Sequence, residues 1–351
     1  MATAYSEIAG WWKRQVPDEV YDSWAKQLTF QHFDAEKWLR MAKQGGMKYI
    51  VIITKHHDGF HMWDTEFSEY KITNTPFGRD YIKELVDACH KEEMKIELYY
   101  SQRDWEHPDY MPIDPEVAYS ISDPPMFQIR EGKTLRPGKN HHKYIEYMHH
   151  TVKELMTKYG KIDVLWWDAC WFGGMFTANM WDADTLEREV RCLQPDILVN
   201  NRASLPGDFD TPEGHVGFFQ NTLPWETCIC LGKKWAWSEG EDIKSFRTIL
   251  HEFLNCLCGD GNYLLSIGCM PNGEFDKPEQ ERIAQLGQWL KKYGESVYGT
   301  RGGPWLPDSW GGSVHKGNII YLHIMDNDET EPLILGQFDN QVMEYCCLTG
   351  Q

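Results

Sequence analysis

The chain has 351 residues, 14% of them aromatic, with 16 Trp and 17 Tyr, and a formal charge of -18 at pH 7. Its length accommodates one α/β barrel of about 250 residues with a small appendage, so two independent domains are not required. The negative charge argues against nucleic acid and anionic membrane as partners, because both demand clustered Lys and Arg to replace counterions. The abundance of rings fits carbohydrate instead, whose C–H faces pack on flat aromatic surfaces.

The N-terminus, MATAYSEIAGWWKRQ, lacks the basic start and apolar run of a secretory leader. No stretch approaches the ~20 apolar residues of a membrane helix. The ten cysteines are scattered, with close pairs at Cys228/Cys230, Cys256/Cys258 and Cys346/Cys347 but no C-x₂-C. Reduced, mostly buried thiols in a cytoplasmic protein are the expectation.

From residue 34 onward, amphipathic helices alternate with short apolar runs, the pattern of parallel β/α units. A helix is predicted from Ala35 to Gln44, opened by Asp34 and stopped by Gly45-Gly46, followed by a buried strand over 49 to 55. Asp80 caps a second helix to Lys91, and MKIELYYS forms a strand ending near Tyr100. The stretch from about Gln102 to Asn140 has no periodicity and reads as a loop over one barrel face. A helix from Tyr144 to Tyr159 leads into the strand of KIDVLWWD, and helix 183 to 193 into DILVNN. After Asp242 a helix to about Leu257 precedes GNYLLSIG, and a helix from Pro278 to Tyr293 precedes the Gly-rich break at 299 to 304. In the remainder, SVHKGNIIYLHIM, PLILG and QVMEYCCL alternate like short antiparallel strands. The expected domains are therefore a barrel over 1–300 and a small β appendage over 301–351.

Reactive groups in such a barrel sit where strands end. The polar residues in those places are Lys55 to Asp58, Tyr99 to Ser101 with Asp104 and Trp105, then Asp168, Asn200 to Arg202, a segment holding Glu213 and Glu226, and Ser266 to Gly273. Asp168 stands directly after Val164-Leu165-Trp166-Trp167, which presents its carboxylate at the mouth beside two indoles, unless it merely caps the next segment. Glycoside cleavage by retention needs a second carboxylate ~5 to 5.5 Å away, for which Glu213 and Glu226 are the candidates. His56 and His57 invite a metal reading, but adjacent strand residues face opposite sides and H-x-H and H-E-x-x-H are both absent. No metal and no cofactor is expected.

Taken together, FDAEKWLRMAKQGGMKYIVIITKHHDGFHMWD, GRDYIKELVDACHKEEMKIELYYSQRDWEHPDY, YGKIDVLWWDACW, LVNNR, DFDTPE, PWETC and GNYLLSIGCMPNGEF resemble glycoside hydrolase family 29, the α-L-fucosidases, from about residue 33 to 306. DFDTPE and PWETC look more like the branch selective for α-1,3/1,4-linked fucose. The resemblance implies a (β/α)8-like barrel, a retaining double displacement on fucosylated oligosaccharides, Asp168 as nucleophile and Glu213 as general acid/base. It also implies sugar contacts from His56, His57, Tyr99, Trp166 and Arg202, with Trp63 and Glu226 near the site. The alternative is a carbohydrate-binding pseudoenzyme in which the acids persist but the sugar is not fixed for attack.

Three departures stand out. Nothing before Trp11 matches the family's opening strand, F-G-x-F-x-H-W-G, while its L-L-N-x-G-P appears as LLSIGCM and its S-W-G-Y as WAW. An incomplete barrel of about seven strands is therefore expected. Its gap would be covered by residues 1 to 30 or filled by a neighbouring chain in a homo-oligomer. The β-sandwich that ends the family's chains is correspondingly reduced to the short appendage.

Overall fold

The computed structural model describes residues 18–111, 139–168, 176–326, 332–338 and 341–349. After α1 (Asp18–Ala25), helices and strands alternate: α2 (Ala35–Gln44), β1 (Tyr49–Lys55), α3 (Tyr81–Lys91), β2 (Lys95–Tyr100), α4 (His141–Lys158), β3 (Val164–Trp167), α5 (Ala183–Leu193) and β4 (Leu198–Val199). Next come β5 (Glu226–Cys230), α6 (Phe246–Cys258), β6 (Asn262–Ser266) and α7 (Lys277–Tyr293). Local chemistry sets the helix starts. Asp34 and Asp80 each accept a backbone N–H three residues on, from Lys37 and Lys83, at 2.9 Å. Gly46, at φ +82°, turns the chain out of α2 in a conformation that a side chain would strain. Helix α6 begins later than its sequence suggests, because Ser245 rather than Asp242 caps it, accepting from Thr248 N at 3.1 Å.

Strands β1 to β4 form one parallel sheet in sequence order, and β5 pairs with β6, also in parallel. The two sheets are joined by residues 209 to 213, which bridge Asn200 to Phe209, Asp210 to Trp225 and Glu213 to Cys228, all in parallel. Residues 49 to 266 thus form a continuous succession of parallel strands, the architecture of a (β/α)-barrel, and among the described residues no strand lies between β6 and β1. The main core fills the space between the strands and their helices, through Leu39, Ile82, Leu85, Ile96, Leu98, Leu165, Leu186 and Val199. On the outside, α7 meets α2 so closely that a Cβ on Gly287 would lie 1.9 Å from Gln44 O.

The expectation that residues 1 to 30 cover the gap falls largely on residues outside those described. In the described part, Tyr21 is buried and its hydroxyl donates to Asp58, in the loop after β1. His32 N donates to Asn272 O, in the loop after β6. The segment therefore ties the loop after β1 to the loop after β6. A cavity of about 1640 Å³ is lined by Val51 and Ile53 of β1 and Leu264 and Leu265 of β6 among others.

Beyond α7, β7 (Arg301–Gly302), β8 (Gly311–Lys316) and β9 (Ile319–Ile324) form a small antiparallel sheet. The expected strands in PLILG and QVMEYCCL do not form: 332–338 and 341–349 carry no regular structure. They have almost nothing to pack on, with Ile334, Met343 and Tyr345 all more than four-fifths exposed. No helix of the described residues is long and apolar enough to cross a membrane.

The start of α7 carries a capping box: Glu279 accepts from Asp276 N at 3.1 Å and from Gly268 N at 3.2 Å, within a buried pocket. Burial pushes its carboxyl up to about 7, against the pull of these two N–H groups. A carboxyl raised on folding takes up a proton. Its stabilising contribution is therefore complete below the ordinary value of 4.5 and is lost as the pH rises through about 7. Thermal melts of Glu279→Gln are expected to depend less on pH across that window than those of the parent. An equal pH dependence in both would refute the assignment.

Candidate active site

The site is built where β1 to β4 end. The register of β1 against β2 slips between Ile53 and Lys55, a local irregularity that re-aims the residues after it. Strand pairing therefore stops before His56 and His57, and their rings sit 4.0 Å apart on one side rather than on opposite faces. From β2, Tyr99 stacks on His56 (5.6 Å, 2°) and on Trp166 of β3 (5.4 Å, 18°). Asp168 is held by its N–H donating to Tyr100 O at 3.0 Å. The Asn200 side chain accepts from Trp167 N and donates to Trp167 O, both at 3.0 Å, and so extends the β3–β4 pairing beyond the two residues of β4.

Arg202, two residues further on, is the hub. One nitrogen, Nη1, donates to Asp168 Oδ1 at 3.1 Å and to Glu213 Oε2 at 2.6 Å. Nε donates to Thr211 Oγ1 at 2.7 Å and Nη2 to Thr211 O at 3.0 Å, while the guanidinium lies 4.5 Å from the centre of the Trp166 ring. Burial works against charge on Arg202, but Asp168 and Glu213 outweigh it and hold the guanidinium protonated. Glu213 is fixed by its backbone, since Cys228 N donates to Pro212 O and Gly214 N to Cys228 O. The Tyr99 hydroxyl donates to Asp168 Oδ2; burial, then the Asp168 charge, raise its pKa so far that it remains a neutral donor. Sharing one nitrogen keeps these two carboxylate oxygens no more than about 6 Å apart, which is compatible with the ~5 to 5.5 Å of a retaining glycosidase pair and short of the ~6.5 to 9.5 Å of an inverting one.

His57 presents Nε2 3.9 Å from Asp168 Oδ2, its Nδ1 lying 2.5 Å from Ser101 Oγ. Donor atoms of His56, His57 and Asp168 lie within 4.8 Å of one another, close enough to converge on a cation. Two guanidiniums oppose a divalent ion there, Arg202 on Asp168 and Arg103, whose Nη1 is 3.5 Å from His57 Nε2.

Seven of the nine residues singled out from the sequence, His56, His57, Tyr99, Trp166, Asp168, Arg202 and Glu213, line one cavity. Trp63 and Glu226 do not. The chain after His57 folds back on β1, with Met62 N donating to Thr54 O, and this buries Trp63 completely, its Nε1 donating to Glu154 Oε2 at 2.7 Å. Glu226 points into the barrel, where its carboxylate is taken by Tyr49 and Trp166. Trp105 and Trp235 also line the cavity. Trp105 was legible as a strand-end residue; Trp235 had only its place in the altered WAW motif.

The loop carrying the two histidines is pinned by a buried ion pair. Lys55 Nζ, fully buried, donates to Asp104 Oδ2 at 3.2 Å and to Arg103 O at 3.0 Å. Asp104 Oδ1 in turn accepts from the N–H groups of Glu106 and His107, and Trp105 N donates to His57 O at 2.7 Å. Removing one partner strands the other charge in the interior, so Lys55→Met is expected to cost about 3 to 5 kcal/mol. Adding Asp104→Asn, which removes the stranded charge but keeps an acceptor for the two N–H groups, should recover part of that loss. Urea denaturation of the two variants checks this; a loss below about 1 kcal/mol for Lys55→Met would show that the pair is not an anchor.

Comparison with known proteins bears on what this site does. Residues 4–295 match the family model described as Alpha-L-fucosidase. The chain is similar to plasma alpha-L-fucosidase of Pongo abelii, at 26% identity, over 92% of this chain and 68% of that protein. It is likewise similar to tissue alpha-L-fucosidase of Bos taurus, at 28% identity, over 88% of this chain and 64% of that protein. It therefore spans about two thirds of the length of these relatives. The solved structure of alpha-L-fucosidase isoenzyme 1 from Paenibacillus thiaminolyticus superposes with a TM-score of 0.80 at 34% identity, covering 90% of this chain and 77% of that one.

Proposed function

We propose that this chain, which belongs to the α-L-fucosidase family (glycoside hydrolase family 29), hydrolyses terminal α-linked L-fucose from glycans by double displacement. The observation that carries the reading is the pair of carboxylates, Asp168 and Glu213, sharing one Arg202 nitrogen at the mouth of the strands. Asp168 attacks the anomeric carbon while Glu213 gives its proton to the departing glycosidic oxygen, which leaves a fucosyl ester on Asp168. Glu213, now ionised, takes a proton from water as the water displaces the ester, and both carboxyls return to their starting forms. Tyr99, hydrogen-bonded to Asp168 Oδ2, and Arg202, on Oδ1, leave the attacking carboxylate little rotational freedom. His56, His57 and the Tyr99–Trp166 stack supply hydrogen-bonding and apolar surface for the sugar.

For linkage, the resemblance of DFDTPE and PWETC supports α-1,3/1,4-linked fucose in branched glycans, and the cavity's Trp105 and Trp235 offer ring faces for a branching sugar. Residues 1–300 form the catalytic unit in this reading and 301–351 the appendage. Free fucose should be released from a Lewis-type trisaccharide in preference to α-1,2- or α-1,6-linked substrates. Equal rates on all three would remove the linkage assignment, and no release from any glycan would favour a sugar-binding pseudoenzyme.

Two variants separate the roles. Asp168→Asn should fold normally yet lose several powers of ten in turnover, and 2-fluoro-fucosyl fluoride should label the parent once, on the peptide carrying Asp168. Glu213→Ala should retain far more activity on fluoride or nitrophenolate leaving groups than on glycans, with azide restoring rate by displacing the fucosyl ester on Asp168 and so giving the α-configured azide. A label on another peptide would displace Asp168 as the nucleophile.

A further inference from the structure

A buried carboxylate that the proposed chemistry does not use lies directly beneath the site. Glu226 is 4% exposed, accepts from the Tyr49 hydroxyl at 2.5 Å on one oxygen, and accepts from Trp166 Nε1 at 3.1 Å on the other. Both bonds run from a buried donor to a carboxylate and are of the stronger, charge-assisted kind. Losing this acceptor would leave the Trp166 N–H, in a residue 2% exposed, with no partner. On the opposite side of the connection, the same indole carries the guanidinium of Arg202, 4.5 Å from its ring centre. A chain of direct contacts thus leads from Tyr49 through Glu226, Trp166 and Arg202 to Asp168 and Glu213.

We infer that Glu226 is a positioning residue: with Tyr49 it fixes the plane of Trp166, and that plane sets where Arg202 holds the two reacting carboxylates. The inference rests on the assignment of Asp168 and Glu213 as the catalytic pair. A second buried acid fits the same account. Glu97, 6% exposed, has no hydrogen-bond partner for Oε2 among the described residues. Burial, then the charge of Glu226, push Glu97 well above the ordinary carboxylate range. Burial raises Glu226 too, but the Tyr49 and Trp166 donors and the charge of Arg202 pull against it. Glu97 is thus pushed up further than Glu226, while the two donors on Glu226 favour its ionised form, in which it polarises the Trp166 N–H beneath Arg202.

The test uses the full chain with ¹⁵N-labelled Trp, the Trp166 indole signal being identified by its loss in Trp166→Phe. In the parent, that N–H should resonate downfield, as expected for a charge-assisted bond. Glu226→Leu should move it upfield and lower kcat by about 10- to 100-fold on the trisaccharide, with KM within a factor of about 3, as expected when reacting groups are misplaced but binding surface is kept. Glu226→Gln, which retains an acceptor for the indole but not the charge, should restore most of kcat and leave the indole signal between those of the parent and Glu226→Leu. Tyr49→Phe should shift both in the same direction by less, and it carries the test together with Glu226→Gln if Glu226→Leu does not fold. An unmoved indole signal, or unchanged kcat in folded Glu226→Leu and Tyr49→Phe, overturns the inference. If the parent releases no fucose while the indole signal responds as described, the catalytic assignment has failed and the Glu226–Trp166 contact stands.

Discussion

The site depends on one nitrogen. Two carboxyl groups held within about 6 Å of each other in a partly buried cleft, at an effective dielectric near 20, repel by at least about 3 kcal/mol whenever both are ionised, as they are once Glu213 has given up its proton and Asp168 is free. Arg202 Nη1, donating to both, offsets that repulsion and makes the separation a property of the fold rather than of two independent side chains. Holding Arg202 is then the task of everything around it. Thr211 takes the other two nitrogens, the Trp166 ring lies against the guanidinium, and Asn200 locks the chain before it to Trp167.

This explains how short strands suffice. β4 has two residues, and the stretch from 209 to 213 is held by isolated bridges rather than a continuous ladder. A long regular strand at either position would present Arg202 and Glu213 at fixed alternating faces. The short bridges instead let Arg202, Thr211 and Glu213 converge from consecutive parts of the wall. What is lost in ladder hydrogen bonds is replaced by side-chain bonds to the backbone, which makes these stretches more sensitive to single substitutions than β1 or β2.

Where the sequence was legible, a local cause was at work. Asp34 and Asp80 cap helices through bonds three residues away, and β3 is four apolar residues ending at a charge, so these elements and the exposure of Asp168 could be read directly. β5 was not legible, because ETCIC is short, half polar and defined only by its partners, residues 210 to 213 and β6. PLILG and QVMEYCCL failed for the converse reason: the apolar pattern was present, but little in the described residues buries it, and only Leu333 and Leu335 are even half-buried. Trp63 and Glu226 were expected near the site, and their residue types and positions say no more than that. Only the fold-back after His57 and the inward face of β5 decide that one joins the core and the other the barrel interior.

Two buried ionisable groups, a base and an acid, brace the site from two sides. Lys55, against Asp104, fixes the loop that carries His56 and His57, while Glu226, against Tyr49 and Trp166, supports the floor under Arg202. Each is costly to bury, and an apolar pair of similar volume would often be at least as stable. Apolar packing is tolerant of small shifts, whereas a buried charge accepts only the few geometries that satisfy all its partners. The reacting groups sit on connecting segments, at the ends of strands as short as two residues. Such segments need that intolerance more than they need the stability, and these groups provide it on the side of the nucleophile and on the side of the acid/base alike.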